Sequence, residues 1–183
     1  MRLVILLIVF TFALVAGAAQ SPAGDSTFAH VSHSFEFTIS APLATVAPLF
    51  GADRERLWAE GWNPQFVYPQ PAQDQSGAVF TVRHGDNAST WVNSIYEPEN
   101  GHIQYVYVVP QAMAVLIDIR LSPQSASACH VKVTYERTAL SPEFNTHVQH
   151  QGEADAQYGP HWQHAIESYL KTKTGETKPA SSH

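Results

Sequence analysis

Ser141-Pro142-Glu143-Phe144-Asn145-Thr146-His147-Val148-Gln149-His150 opens the stretch that decides this fold. It continues as Gln151-Gly152-Glu153-Ala154-Asp155-Ala156-Gln157-Tyr158-Gly159-Pro160, then as His161-Trp162-Gln163-His164-Ala165-Ile166-Glu167-Ser168-Tyr169-Leu170, and runs out near Lys173. Its first residues read as a helix start: a serine able to cap, a proline suited to the first helical position, and a carboxylate at the positive end of the helix dipole. Phe144, Val148, Tyr158, Trp162, Ile166, Tyr169 and Leu170 then recur at helical intervals. The spacing predicts one long amphipathic helix, with Gly159-Pro160 as its kink. Such a helix has an apolar face to bury, and from about His33 to Thr138 the chain reads as short strands. The face is therefore expected to lie on a sheet.

The 183 residues suffice for one domain with a sizeable core. Arg2, the apolar run Leu3 to Val15 and the small residues Ala16-Gly17-Ala18-Ala19 form a secretory signal pattern over 1–19, with cleavage expected after Ala18 or Ala19. The rival reading is an uncleaved anchor, but a span takes about 20 apolar residues and this run is shorter. The mature protein is expected to be exported, periplasmic or secreted, and without a stable membrane anchor. Cys129 is the single cysteine, so no internal disulfide is available; it sits in a strand pattern and reads as a small buried hydrophobe. Net charge is −6 with no basic stripe, which argues against nucleic acid as a partner. Charged residues make up only 14% while aromatics reach 11%, a balance that suits an apolar interior better than an ionic active site.

Along the chain, residues 20–32 read as a flexible leader and 174–183 as a disordered tail, leaving 33–173 as the domain. Phe35, Phe37 and Ile39 alternate with Glu36 and Thr38 in a half-buried strand. Ala41-Pro42 ends it, and two short helices follow, Leu43 to Phe50 and about Asp53 to Glu60. Six strands are then expected at 66–68, 78–84, 89–96, 102–109, 112–122 and 126–140. Short breakers separate them, which is the mark of an antiparallel meander. Asn87-Ala88-Ser89 is a glycosylation acceptor pattern that matters only in a glycosylating host.

A strand, two short helices, a meander and one long helix make an α+β chain whose curved sheet of about seven strands wraps that helix. Several stretches carry a family likeness: Phe35-Glu36-Phe37-Thr38-Ile39-Ser40-Ala41-Pro42, Leu57-Trp58-Ala59-Glu60-Gly61-Trp62-Asn63-Pro64, Gly77-Ala78-Val79-Phe80 and Thr90-Trp91. Tyr105-Val106-Tyr107-Val108-Val109-Pro110, Thr134-Tyr135-Glu136-Arg137-Thr138-Ala139-Leu140-Ser141 and Trp162 through Leu170 continue it. Over about residues 33 to 171 the chain resembles the helix-grip fold of the SRPBCC (START-like) superfamily, which includes polyketide cyclases, lipid-transfer domains and birch-pollen-allergen-like proteins. The resemblance implies a cavity between helix and sheet. It leaves function open, since that fold binds, carries or transforms many ligands.

No phosphate loop, serine elbow, His-Glu-x-x-His or paired-cysteine site occurs in the chain, so nucleotide, hydrolase and zinc-protease chemistries lose their usual signatures. His147, His150, His161 and His164 fall within an arc of about 100° on a continuous helix and are the metal-ligand candidates. Against them, no third ligand is spaced to complete a site, and a solvated polar stripe is the favoured account of them. Asp155 projects near the middle of the apolar face, where a carboxylate facing a cavity would serve as acid, base or ligand anchor; a phase shift at Gly152 or Gly159-Pro160 would instead leave it in water. Phe80, Trp91, Tyr105, Tyr107 and Tyr135 share strand parity with the inward Ile103 and Val133. Trp58 and Trp62 belong at the short helices and Trp162 on the long one. These eight rings are the candidate ligand-binding set, with plain core filling as the alternative.

Three functions remain open on these residues. One is a carrier or receptor of a small hydrophobic molecule or lipid, without cofactor. A second is a cyclase- or dehydratase-like enzyme with Asp155 as acid or base. The third is a metal- or protein-interaction module built on the histidines.

Overall fold

A computed structural model describes residues 28–85 and 87–175 of the chain. The signal pattern, the leader up to residue 27 and the tail beyond residue 175 lie outside the described residues. The first strand, β1, spans His30–Ile39. It begins ahead of the expected His33 because His30, Val31 and Ser32 pair with Thr138, Arg137 and Glu136. Its alternation buries Phe35, Phe37 and Ile39. Pro42 then turns the chain into α1 (Leu43–Val46), which tightens into a 3-10 turn over Ala47–Phe50. Pro48 explains the tightening, since it brings no N–H to an α-helical ladder. The second expected helix is also only a 3-10 turn, Arg54–Leu57.

Six further strands follow: β2 (Gln65–Tyr68), β3 (Ala78–His84), β4 (Asn87–Glu97), β5 (His102–Val109), β6 (Met113–Ser125) and β7 (Ala128–Ala139). All pair antiparallel in the order β1-β7-β6-β5-β4-β3-β2, so the first strand closes against the last and the sheet stays open between β1 and β2. At the β4–β5 connection Gly101 takes a positive φ of 65°, and a Cβ there would sit 2.2 Å from the Leu121 carbonyl oxygen. Both the left-handed backbone and the close approach require glycine.

Register places the functional side chains. Phe80, Trp91, Tyr107, Val115 and Arg137 lie opposite one another on successive strands, β3 to β7. The next inward row on β4 to β7 is Asn93, Tyr105, Ile117 and Tyr135. Because strand side chains alternate, both rows share the concave face.

The C-terminal stretch departs from the single helix expected. Pro142–Phe144 forms a 3-10 turn to which the Ser141 side chain gives no cap. The helix proper is then split into α2 (Asn145–Asp155) and α3 (Gly159–Gly175). Pro160, without an N–H, sits in the first turn of α3, where that lack costs nothing, and it cannot extend α2. Across the break the Tyr158 N–H donates to the Asp155 carbonyl (3.1 Å) and the Trp162 N–H to that of Tyr158 (3.0 Å). α2 lies on β1 and β7, and α3 on β1. Among the described residues no helix is long and apolar enough to cross a membrane.

Candidate functional site

Between the concave face and the two C-terminal helices lies a cavity of about 940 Å³. Trp58 and Trp62, just beyond the second 3-10 turn, stand on its wall, as do Trp91 from β4, Tyr105 and Tyr107 from β5, Tyr135 and Arg137 from β7, and Trp162 from α3. These include all four tryptophans of the chain. Three of the indole N–H groups are spent on the protein itself: Trp58 Nε1 donates to the Leu49 carbonyl (2.8 Å), Trp62 Nε1 to that of Ala52 (2.7 Å) and Trp91 Nε1 to Ser89 Oγ (2.7 Å). What those rings have left to offer a ligand is apolar surface and π faces. Trp91 stacks on Tyr107 with 4.0 Å between centroids, Trp62 meets Trp91 edge-on at 5.3 Å, and Trp162 touches Trp58 at 5.5 Å.

One polar group inside was not foreseen. Arg137 is 4% exposed and Asp155 1%. Arg137 Nε donates to Asp155 Oδ2 at 2.5 Å and a terminal nitrogen to Oδ1 at 2.7 Å, a two-point ion pair from β7 to the end of α2. A second terminal nitrogen donates to the Tyr107 hydroxyl (2.7 Å), and the guanidinium lies 4.9 Å from the Tyr135 ring centre. Burial pulls the Arg137 guanidinium down, but the Asp155 carboxylate and the Tyr107 hydroxyl outweigh it and hold it above its ordinary value. Burial raises both Tyr107 and Tyr135, so both phenols keep their protons. Since the Tyr107 oxygen accepts from Arg137, its own proton is free for a ligand. The Tyr135 hydroxyl has no hydrogen-bond partner among the described residues.

Glu55 is the second unforeseen group. It is 7% exposed, lines the cavity and makes no ion pair among the described residues. Its Oε1 lies 3.4 Å from the Tyr105 hydroxyl, whose one proton goes to the Phe50 carbonyl at 2.5 Å. Burial first, and then the nearby Asp74 charge, push the Glu55 carboxyl well above the usual carboxylate range. The Tyr105 hydroxyl beside Oε1 pulls the other way, down, without cancelling the rise.

Seven of the eight candidate rings reach the cavity wall. Phe80 does not; fully buried, it stacks on Trp91 (5.8 Å) and Phe66 (5.4 Å) behind the wall and is core. Tyr105 lines the site with its hydroxyl already committed. Asp155 is inward, as its helical phase predicts, but Arg137 holds both oxygens and leaves no free acid or base. His147, His150, His161 and His164 are all exposed and divided between α2 and α3. Among the described residues no three His, Cys, Asp or Glu side chains gather to hold a metal, and His147 and His161 stand at the edge of the cavity. Cys129 is wholly buried in β7 and free, and burial raises its thiol.

The open seven-stranded sheet gripping C-terminal helices over a cavity is the helix-grip fold, shared with the solved structures it superposes on. Norcoclaurine synthase from Thalictrum flavum, solved with dopamine and hydroxybenzaldehyde, superposes with a TM-score of 0.57 at 13% identity, over 97% of this chain and 100% of that one. Ara h 8.0201 superposes at 0.54 with 15% identity, covering 78% of this chain and 99% of its own. A solution structure from Thermobifida fusca gives 0.57 at 16% identity, over 76% and 93%. At such identities the likeness is one of fold, and the fold serves ligand binders and some enzymes. No protein-family model matches the sequence, and no curated protein matches it.

Proposed function

We propose that the protein is an exported carrier or receptor for a small, apolar, ring-bearing molecule held between sheet and helices. The observation that supports this most is the wall itself: a large cavity faced by nine Phe, Tyr and Trp rings, with three of the indole N–H groups satisfied from behind. A wall of that kind gains roughly 25 cal/mol per Å² of apolar ligand surface covered, before the costs of association. Tyr107 and Tyr135 supply the few orienting hydrogen bonds such a pocket needs. Export rests on the signal pattern alone and is tested by the mass of the secreted chain, which begins at Ala19 or Gln20.

The ligand test uses the tryptophans as reporters, since every one of them faces the cavity. Titration with the neutral apolar dye N-phenyl-1-naphthylamine should quench them by energy transfer, saturably and near one dye per chain. Trp91→Ala should weaken the dye by about tenfold or more, as one stacked wall ring is lost, while the circular dichroism spectrum stays native. Unsaturable, non-stoichiometric quenching would reject the carrier reading. An enzyme working through Asp155 finds no support, because its carboxylate is bound up with Arg137.

A further inference from the structure

Glu55 is a buried carboxyl at a cavity wall with no cationic partner, and a fold gains nothing in stability from such a group. The other buried carboxylate of the wall, Asp155, is neutralised by Arg137, so the two are not equivalent. We propose that Glu55 is the anchor for a ligand cation: the cavity takes a compact apolar amine in its ammonium form, seated with its charge against Glu55 and its body among the tryptophans. This deepens the carrier reading and rests on it.

Three observations favour a cation over a ligand oxygen at this end. Asp74 stands close enough to add its negative field to that of Glu55, which attracts an ammonium and repels an electron-rich acceptor. Trp58, three residues along, and Trp62 line the same cavity with their N–H groups spent on backbone carbonyls, so they bring aromatic surface, which a cation favours, and no competing donor. The cation of the wall, Arg137, is engaged by Asp155, Tyr107 and the Tyr135 ring and so does not compete for Glu55. The titratable groups that share the field of Glu55 are Asp74, Tyr105 and Tyr135; burial keeps both phenols protonated at neutral pH, so the proton exchanged on binding comes from Glu55. The balance is simple. The ammonium enters and pairs with the Glu55 carboxylate, and whatever proton the carboxyl held leaves to solvent.

Calorimetry on the mature chain tests this with two probes of one shape, 2-phenylethylamine and 2-phenylethanol. Each is titrated at pH 7 in buffers of different ionisation heat, which counts protons. The amine should bind about tenfold or more tighter than the alcohol and release a proton as it does, up to about one per ligand, while the alcohol releases none. Glu55→Gln should erase both the preference and the proton release. The wild-type comparison decides the matter even if that variant folds poorly. Alcohol binding equal to or tighter than amine binding would overturn the amine anchor and leave the carrier reading standing. Failure of both probes and of the apolar dye would overturn both.

Discussion

Arg137 and Asp155 show how much a single buried charge depends on its partner. The pair spans β7 and the end of α2 with both side chains out of water. Asp155→Asn leaves the guanidinium uncompensated and should cost about 3–5 kcal/mol in urea unfolding, whereas an exposed pair would cost under about 1 kcal/mol. A change below 1 kcal/mol would mean that water or another group compensates Arg137. Asp155 was legible in the sequence because helical phase put it on the apolar face. Arg137 was legible in principle, since it shares strand parity with Val133 and Tyr135, but arginine at an inward position reads as surface until its partner is known. Glu55 carried no signal: in Asp53-Arg54-Glu55-Arg56 it looks like one more charge in a solvated turn, and a four-residue 3-10 turn has no periodicity to assign it a face. Its proton gives a second prediction. Folded Glu55 holds its proton above the ordinary carboxyl range while the unfolded chain has released it, so the folded state binds more protons in that window and stability falls as pH rises through it. Glu55→Gln removes this loss. The variant should melt above wild type at pH 7, and the gap should close towards pH 3, where both states are protonated; a gap independent of pH would contradict the account.

At the scale of elements, the strands were read almost residue for residue, because alternation is a strong signal in a sheet with one buried face: β3 and β5 fall where expected, and the others shift by a few residues at their ends. The C-terminal helix was read in position and phase but not in continuity, since Gly159-Pro160 admits a kink or a full break and only packing on β1 decides between them. The closeness of that packing is testable at Gly152, in α2. A Cβ there would lie 2.8 Å from both the His33 ring and a Val31 methyl on β1. Alanine for glycine inside a helix normally gains about 0.8–1 kcal/mol. Here Val31 is β-branched and stiff, so Gly152→Ala should instead destabilise by about 1–3 kcal/mol, as overpacking does. A stabilised variant would show that α2 rides farther from the sheet.

For the whole molecule, the open curved sheet supplies a concave face, the two helices roof it, and the sequence fills the face with rings instead of the aliphatic side chains that would close it solid. That a cavity of about 940 Å³ persists beneath so much aromatic surface is the reason for reading the protein as a binder. The most direct measurement is native mass spectrometry of the protein purified from its own host, followed by solvent extraction of whatever it carries. The account predicts a mass excess of one small molecule per chain, lost on extraction, identifiable as an apolar compound and, if Glu55 is the anchor, as an amine. A protein that arrives empty, and that saturates with neither dye nor amine afterwards, would contradict it.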